Sequence, residues 1–516
     1  MLLTGSQIIM ECLLEQKADT IFGYPGGQIM PLYDALYDYT KDGRIRHILT
    51  AHEQGATHAA DGYARSTGKV GVVFATSGPG ATNTVTGIAT ANIDSSPMVV
   101  ITGQVPASSI GRDAFQEVDI IGITLPITKH SYALREVSEI APAIREAFQI
   151  ARSGRPGAVL VDVPKNLMTA TCEYAPAKPL AKLPAPRLRM DKIEHLAGLI
   201  NKSERPVIHA GGGVRLSDAS AELTELAHKA EIPVATTLMC LGCFPRKDPL
   251  SLGIMGMHGE RESNLAVHNA DLLLTIGGRF SDRVTGDTKG YARGATIVHI
   301  DIDRSEIDKN VPAEYRIVGD VKEVLRALLP LVKNHKHKEW LKRIESWKRE
   351  IPVTDKFTPV NIIAQIHDAF GDEAIVCTDV GQHQMWTAQH WPFSKPRKLI
   401  TSGGMGTMGF GLGAAIGAKI ANPKKPVILI TGDGSFRMNM NELVTCASLG
   451  LDIHIFVLAN GTLGMVRQWQ NLFWSKRYSA TDLADVVDYS SLAAAFGLTG
   501  TRVGNTQALA AAIVAA

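Results

Sequence analysis

Pro426 to Phe436 reads PVILITGDGSF, and the chain then runs through MNMNELVTCASLG (Met438–Gly450) into DIHIFVLAN (Asp452–Asn460). An apolar run that stops at a glycine turn predicts a buried parallel strand, the next segment a crossover helix, and the last a second strand. Asp433 and Asn460, 27 residues apart, then stand at strand ends. The Asp433 carboxylate, the Asn460 amide oxygen and a backbone carbonyl, for which Thr462 is the natural candidate, are hard oxygen donors of the kind Mg²⁺ takes. Magnesium rarely accepts an all-protein cage, so phosphate oxygens and water are expected to complete its shell. Gly432 and Gly434 let the backbone approach an anion, and Ser435 can donate to phosphate. Either element alone reads as a turn tetrapeptide or a loop asparagine. Together, at βαβ spacing, they point to a metal-diphosphate clamp.

A second candidate lies near the other end of the chain. RIRHILTAHEQGATHAADGYARSTG (Arg44–Gly68) runs from a short strand into an alanine-rich helix carrying Glu53. A carboxylate in a first helical turn is favoured by the helix dipole and needs no further role. Its neighbours are FGYPGG (Phe22–Gly27) upstream and, downstream, the strand VGVVFAT, which breaks at Ser77-Gly78-Pro79-Gly80. Glu53 and Asp433 are 380 residues apart, so one site joining them demands long-range folding or two chains.

Composition bounds the rest. The 516 residues suggest three domains at about 100 to 200 residues each. A hydrophobic content of 45 % describes a soluble globular chain. The formal charge of +2 offers no basic face for nucleic acid, and the tract KNHKHKEWLKRIESWKRE (333–350) mixes both signs as a solvated helix would. No apolar stretch reaches membrane-spanning length; the candidate around Gly409–Ala418 is glycine-rich and stopped by Lys419. MLLTGSQIIMECLLEQ lacks a basic leader and reads as a first amphipathic helix, which makes a cytoplasmic address the expectation. The cysteines are scattered, and the lone Cys240/Cys243 pair has no partners for zinc.

Prolines at 176, 179, 184 and 186 mark one linker, and the charged tract ending near Pro352 marks another. The predicted domains are 1–175, 190–335 and 355–516. The outer two repeat a pattern, VGVVFAT–SGPG–helix–PMVVITG and VILIT–GDGS–helix–IHIFVLAN, that suggests duplicated α/β domains facing each other. In the middle domain, RPVIHAGGGV, DLLLTIGGRF and ATIVHIDID are strand ends, but Gly211-Gly212-Gly213 is not a GxGxxG fingerprint because position 216 is Leu216.

The ordered set FGYPGG, AHEQGATHAADGYARSTG, ATSGPGATN, ITGQV, DAFQE, SGRPGAVLVDVPK, MGMHG, GGRFSDRVTG, IVHIDID, DVGQHQMW, GGMGTMGFGLGAAIGA, GDGSF and LGMVRQWQ spans essentially the whole chain. It resembles the large catalytic subunit of acetohydroxyacid (acetolactate) synthase, a thiamine-diphosphate enzyme family. The resemblance implies an α/β fold of three doubly wound parallel-sheet domains: two related outer domains of the thiamine-diphosphate-binding fold flanking a Rossmann-like middle domain. The first would bind the aminopyrimidine ring, the second FAD and the third the diphosphate. A homodimer or dimer of dimers would share each site, with a small regulatory subunit as a further partner. The implied reaction decarboxylates pyruvate and condenses it with pyruvate or 2-oxobutyrate, giving 2-acetolactate or 2-aceto-2-hydroxybutyrate. That is the first common step of valine, leucine and isoleucine biosynthesis.

The resemblance also implies roles. Glu53 would donate to the aminopyrimidine N1′, which promotes deprotonation of the thiazolium C2. Tyr24, Pro25 and Gly26 would flank the same ring, Met408 would bend the cofactor, and Met405, Met465, Gly381, Gln382 and His383 would line it. Arg279 and Trp469 match acceptor positions, the guanidinium for a carboxylate and the indole for the ethyl group of 2-oxobutyrate. Phe115, Gln116 and Lys165 would line that cavity. For FAD the matching residues are Arg155, Gly212, Met257, His258, Gly277, Arg279, Asp301, Ile302 and Asp320; the net reaction is not redox, which makes the flavin structural or vestigial.

Two departures stand out. Ala459 replaces an asparagine common in the family, and the chain stops at ALAAAIVAA inside a predicted helix, where family members continue through another strand and a tail. A more open site would release more acetaldehyde. Other readings are a related flavin and thiamine enzyme such as pyruvate oxidase, which would not require LGMVRQWQ, and a non-catalytic paralogue, which would tolerate loss of Glu53.

Overall fold

The computed structural model describes residues 1–348, 356–484 and 486–515. The amino-terminal third builds a six-stranded sheet ordered Arg46–Leu49, Thr20–Gly23, Gly71–Ala75, Met98–Gln104, Ala158–Pro164, His130–Ala133. Every pairing is parallel. Gly71–Ala75, Met98–Gln104 and Ala158–Pro164 are buried at every position, as befits parallel strands with helices on both faces. Helix Gly5–Glu15 opens this part, its Thr4 hydroxyl and Gln7 side chain forming a reciprocal cap.

The carboxyl-terminal third repeats the theme. Its sheet is ordered Leu399–Ile400, Ile375–Thr378, Val427–Gly432, His454–Leu458. Numbered by chain order from Thr20–Gly23 and from Ile375–Thr378, the first sheet runs 2-1-3-4-6-5 and the second 2-1-3-4, so the first four strands share one order. The pattern repeat in the sequence is therefore a repeat of topology, and each sheet has a switch point between strands 1 and 3, where an open α/β sheet leaves a crevice beyond its carboxyl edge.

These two thirds form one compact unit, Met1–Leu183 with Ile375–Gln384 and Ile400–Arg502. Its two sheets are joined by helices Glu53–Thr67 and Phe410–Ala421, the latter the glycine-rich apolar stretch of the sequence. Small residues at the crossing allow backbone contact: a side chain at Gly417 would fall 1.8 Å from the Ala59 carbonyl, and one at Gly62 2.1 Å from that of Ala414. Arg65, buried with Asp61 and Asp94, donates to the Thr401 carbonyl at 2.7 Å.

The second unit, Pro184–Ala374 with Met385–Leu399 and Val503–Ala516, holds the middle sheet. Its six parallel strands run Ser251–Ile254, Val234–Thr236, Pro206–Ala210, Leu272–Ile276, Thr296–Asp301, Tyr315–Val318, which is 3-2-1-4-5-6 in chain order, the Rossmann arrangement. Helix Pro359–Phe370 belongs to this unit because it packs on the terminal helix Thr506–Ala515, Gln365 donating to the Thr506 carbonyl at 3.0 Å.

Two local expectations change. Met438–Gly450 is not one crossover helix: a turn of 3₁₀ helix, Met440–Glu442, precedes a short helix, Leu443–Ser448, because Asn439 is drawn away to the Gly409 carbonyl at 3.1 Å. The charged tract is not wholly solvated either, since helix Lys338–Glu345 buries Trp340 and Ile344, one turn apart. The end of that tract and the start of the predicted third domain, 349–355, lie outside the described residues. Among the described residues no helix is long and apolar enough to cross a membrane.

Candidate active site

At the switch point of the first sheet, Gly23-Tyr24-Pro25-Gly26 leaves strand Thr20–Gly23 beside the turn after strand Gly71–Ala75. The fit is close: a side chain on Gly26 would fall 2.4 Å from the Thr76 methyl, and Thr76 Oγ1 accepts from the Gln28 N–H at 3.2 Å. Glu53 begins the helix Glu53–Thr67 and is 8 % exposed. Its Oε2 accepts from Asn83 Nδ2 at 3.0 Å, and its Oε1 lies 3.2 Å from where a Gly80 side chain would begin. Behind it, Tyr33 Oη and His47 Nε2 are 3.0 Å apart. Burial, and then the Glu53 charge, push the Tyr33 phenol upward, while burial holds His47 down at about 4. Ser77 Oγ and Gln28 Oε1 are buried there without a hydrogen-bond partner, polar atoms poised for a polar guest.

Of the other candidates, Gln116 borders this edge. Gln116 holds φ at 62° with its Cα and Cβ 3.0 Å from a side chain placed on Gly78, a strained contact of the kind found at sites. Phe115 is 84 % exposed. Lys165 is the first residue of helix Lys165–Thr169, directly after strand Ala158–Pro164.

The second crevice lies at the switch point of the carboxyl-terminal sheet. Asp433 opens a helical turn, Asp433–Phe436, is 3 % exposed, and accepts from the Gly434 N–H at 3.1 Å and the Gly461 N–H at 2.8 Å. Asn460 Oδ1 accepts from the Thr462 N–H at 3.1 Å. Thr462 is tied down by its hydroxyl to the Thr481 carbonyl at 2.8 Å. The ligand loop is thus fixed from both sides with oxygen lone pairs to spare. Among the described residues no three His, Cys, Asp or Glu side chains gather into a metal cage. An oxygen set of one carboxylate, one amide and one carbonyl fits Mg²⁺ only if a ligand supplies the remainder.

His383 fills the space between the two strand ends: a side chain on Gly381, with φ of 153°, would fall 2.9 Å from its ring, and one on Gly432 likewise 2.9 Å. Burial lowers it to about 4, so it is neutral. Gln382 Nε2 donates to Gln468 Oε1 at 3.2 Å and lies against Gly464, so it braces helix Gly464–Phe473, which carries Met465 and Trp469. Trp469 meets Phe473 edge-on at 6.2 Å. Met405 and Met408 sit on the loop before helix Phe410–Ala421, Met405 44 % exposed. Ser435 is turned inward: its hydroxyl bonds the Asp379 carboxylate and accepts from the Gly409 N–H at 3.3 Å.

In the second unit, the FAD candidates Gly212 and Gly277 flank the Rossmann switch point. There a side chain on Gly211 would strike the Gly277 carbonyl at 2.2 Å, and His209 Nε2 is buried without a partner. Asp301 ends its strand, 7 % exposed and accepting from the Asp303 N–H at 2.9 Å, with Ile302 after it. Asp320 caps helix Val321–Leu328 and accepts from Ser217 at 2.9 Å. Met257 is 51 % exposed, the His258 carbonyl accepts from Gln389 at 2.8 Å, and the Arg279 carbonyl accepts from Asn310 at 3.1 Å. Arg155 lies in the first unit, where it donates to Ser95 at 2.9 Å and to the Ile93 carbonyl at 3.1 Å.

Residues 3–123 match the N-terminal TPP-binding domain of the thiamine pyrophosphate enzymes, 193–328 their central domain and 379–516 their C-terminal TPP-binding domain. The acetolactate synthase large subunit of Parasynechococcus marenigrum is 46 % identical over 522 residues, covering 98 % of this chain and 84 % of that one. The chain belongs to the acetolactate synthase large-subunit family. A probable acetolactate synthase large subunit of Methanocaldococcus jannaschii is 47 % identical over 519 residues, 97 % of this chain and 87 % of that one. The acetolactate synthase isozyme 1 large subunit of Escherichia coli is 46 % identical over 508 residues, 97 % and 90 %.

Several residues of these crevices carry no sequence signal of their own. Asn83 lies within ATSGPGATN but only the fold brings it to Glu53. Asp379 is wholly buried, and burial raises its pKa while the Gly411 N–H at 3.1 Å and the Thr431 hydroxyl at 3.0 Å oppose that rise. Glu442 reads as a helix-surface glutamate, yet it is 0 % exposed.

Proposed function

We propose that the chain catalyses thiamine-diphosphate-dependent decarboxylation of pyruvate and condensation of the two-carbon fragment with pyruvate or 2-oxobutyrate, the committed chemistry of branched-chain amino acid synthesis. The observation that carries the reading is a buried carboxyl, Glu53, at the switch point of one sheet, matched by the Asp433–Asn460–Thr462 oxygen set at the switch point of its topological twin. When bound, thiamine diphosphate supplies an electron sink for the carbanion left by loss of CO₂. Asp433, Asn460 and Thr462 would hold Mg²⁺ against its diphosphate, and Glu53 would hold a proton at N1′. Gln116, Lys165 and Phe115 would line the acceptor cavity, and Trp469 would select the acceptor. Gly212, Gly277, Asp301, Ile302 and Asp320 would hold FAD, aided by Met257, His258 and Arg279, in a structural capacity.

We further propose a cytoplasmic homodimer or dimer of dimers, with a small regulatory subunit. Val466, Leu472, Phe473 and Trp474 on and beside helix Gly464–Phe473 are 47 to 70 % exposed, which supports coverage by a second copy. The relatives' designation as large subunits supports the smaller partner. The test is product analysis with pyruvate, with and without thiamine diphosphate, Mg²⁺ and FAD. Acetolactate with one CO₂ released per two pyruvates, without an electron acceptor, is expected. Oxygen-dependent turnover, or acetaldehyde as the sole product, would overturn the assignment.

A further inference from the structure

Glu442 lies nine residues beyond Asp433, on the short 3₁₀ turn Met440–Glu442 of the diphosphate-side sheet. Its carboxylate nevertheless serves the other sheet. Oε1 accepts from the N–H groups of Ala51 and His52, both at 3.1 Å, and Oε2 accepts from Ala51 at 3.1 Å and from the Thr445 hydroxyl at 2.7 Å. The helix that starts at Glu53 already has a local cap, His52 Nδ1 accepting from the Gln54 N–H at 3.1 Å, so Glu442 is a second anchor, set on the donors just before the helix. Room for it exists because position 55 is glycine: a side chain there would fall 2.0 Å from Oε1.

Burying a carboxylate completely is costly unless it is well hydrogen-bonded, and this one is fully engaged. We propose that Glu442 is the positioning residue for Glu53, fixing the amino end of its helix and thereby where the Glu53 carboxyl sits. The inference rests on the reading of Glu53 as the acid that faces the aminopyrimidine. It adds a reciprocal element to the unit: Asp94 of the first sheet accepts from the Gly403 N–H at 2.9 Å and the Gly404 N–H at 2.7 Å, on the loop that carries Met405 and Met408. Each half thus holds the functional loop of the other.

Glu442→Gln keeps the length and one acceptor oxygen; Glu442→Ala removes both. In the cofactor-free full chain, hydrogen exchange of the peptide containing Ala51 and His52 is expected to quicken in both variants. In the enzyme loaded with thiamine diphosphate and Mg²⁺, proton exchange at the cofactor C2 and kcat should fall together, about tenfold for Gln and about 10²-fold for Ala, the scale of a small misplacement of a reacting group. KM for pyruvate should stay within about threefold, and Glu53→Gln/Glu442→Gln should be no slower than Glu53→Gln, since residues acting as one unit are not additive. Wild-type C2 exchange in Glu442→Gln, or a full further tenfold loss in the double variant, would overturn the proposal. The Gln variant keeps it falsifiable if the Ala variant fails to fold. C2 exchange indifferent to Glu53→Gln would instead remove the reading beneath it, leaving the amide-exchange result untouched.

Discussion

The first four strands of the two sheets in the first unit share one order, 2-1-3-4, and both sheets carry their candidate residues beyond the carboxyl edge, yet they present opposite chemistry. The amino-terminal crevice offers one buried carboxyl, Glu53, amid unpartnered polar atoms of Ser77 and Gln28. The carboxyl-terminal crevice offers glycine backbone and an oxygen donor set around Asp433. What differs lies in the short segments beyond the strand ends: Glu53 follows strand 2 of the first sheet, whereas Asp433 and Asn460 follow strands 3 and 4 of the second. A duplicated scaffold supplies position; short loops supply chemistry. In the proposed function the guest would be met in the first crevice by a proton donor and in the second by a cation site.

Removing the buried carboxyl of the first crevice is the harshest way to break this division of labour. Glu53→Gln is expected to lower turnover by about 10² to 10⁴-fold, the range for a positioned acid or base, while cofactor affinity, set by the other crevice, changes little. Turnover near wild type, measured at saturating cofactor, would end the assignment of proton chemistry to this edge.

The complementary lesion strikes the cation side. Asp433→Asn should weaken Mg²⁺-dependent binding of thiamine diphosphate by about 10²-fold or more, since loss of even an outer partner of a metal ligand costs up to that much. Fluorescence titration at fixed diphosphate and varied Mg²⁺ measures it. An unchanged Mg²⁺ requirement would place the cation elsewhere.

Much of this was legible in the residues. PVILITGDGSF and the spacing from Asp433 to Asn460 gave strand, turn and donors because parallel strands are continuous apolar runs and ligands sit at their ends. The Rossmann order of the middle sheet was foreshadowed only by strand-end glycines, without a dinucleotide fingerprint. Met438–Gly450 misled, since its helical pattern is overridden by partners far away in sequence: Asn439 by Gly409, and Glu442 by Ala51 and His52, about 390 residues upstream. Asp379 and Glu442 were illegible for the same reason, because a carboxylate that serves a distant backbone looks local until the chain is folded, and Asn83 because its partner, the Glu53 carboxylate, lies 30 residues upstream.

Specificity gives a smaller contrast. Trp469 stands on helix Gly464–Phe473, which is braced through Gln382, and in the proposed role its indole face would distinguish an ethyl from a methyl group. One methylene is worth about 1 to 3 kcal/mol, so Trp469→Leu should retain acetolactate formation but lower the preference for 2-oxobutyrate by about tenfold. Competition between the two acceptors reads this directly, and an unaltered product ratio would exclude the indole from acceptor selection.

The smallest effect concerns the joint between the two halves. His58 lies wholly buried against Phe410, ring centroids 5.3 Å apart, and burial lowers it from 6.5 to about 4, the Asp61 charge opposing this and Arg65 reinforcing it. A base whose folded value is depressed binds its proton only on unfolding, so the folded state loses stability as pH falls from about 6.5 towards 4 and is unaffected above that window. At about pH 5, complete unfolding in urea should therefore take up about one proton fewer in His58→Gln than in the wild type, measured by pH-stat in weakly buffered solution. The pH-stat is chosen because proton uptake between two defined end states does not require a two-state transition, which a chain of two compact units need not show. Equal uptake would mean that His58 titrates normally in the folded protein, and that the helix crossing between the two crevices admits water.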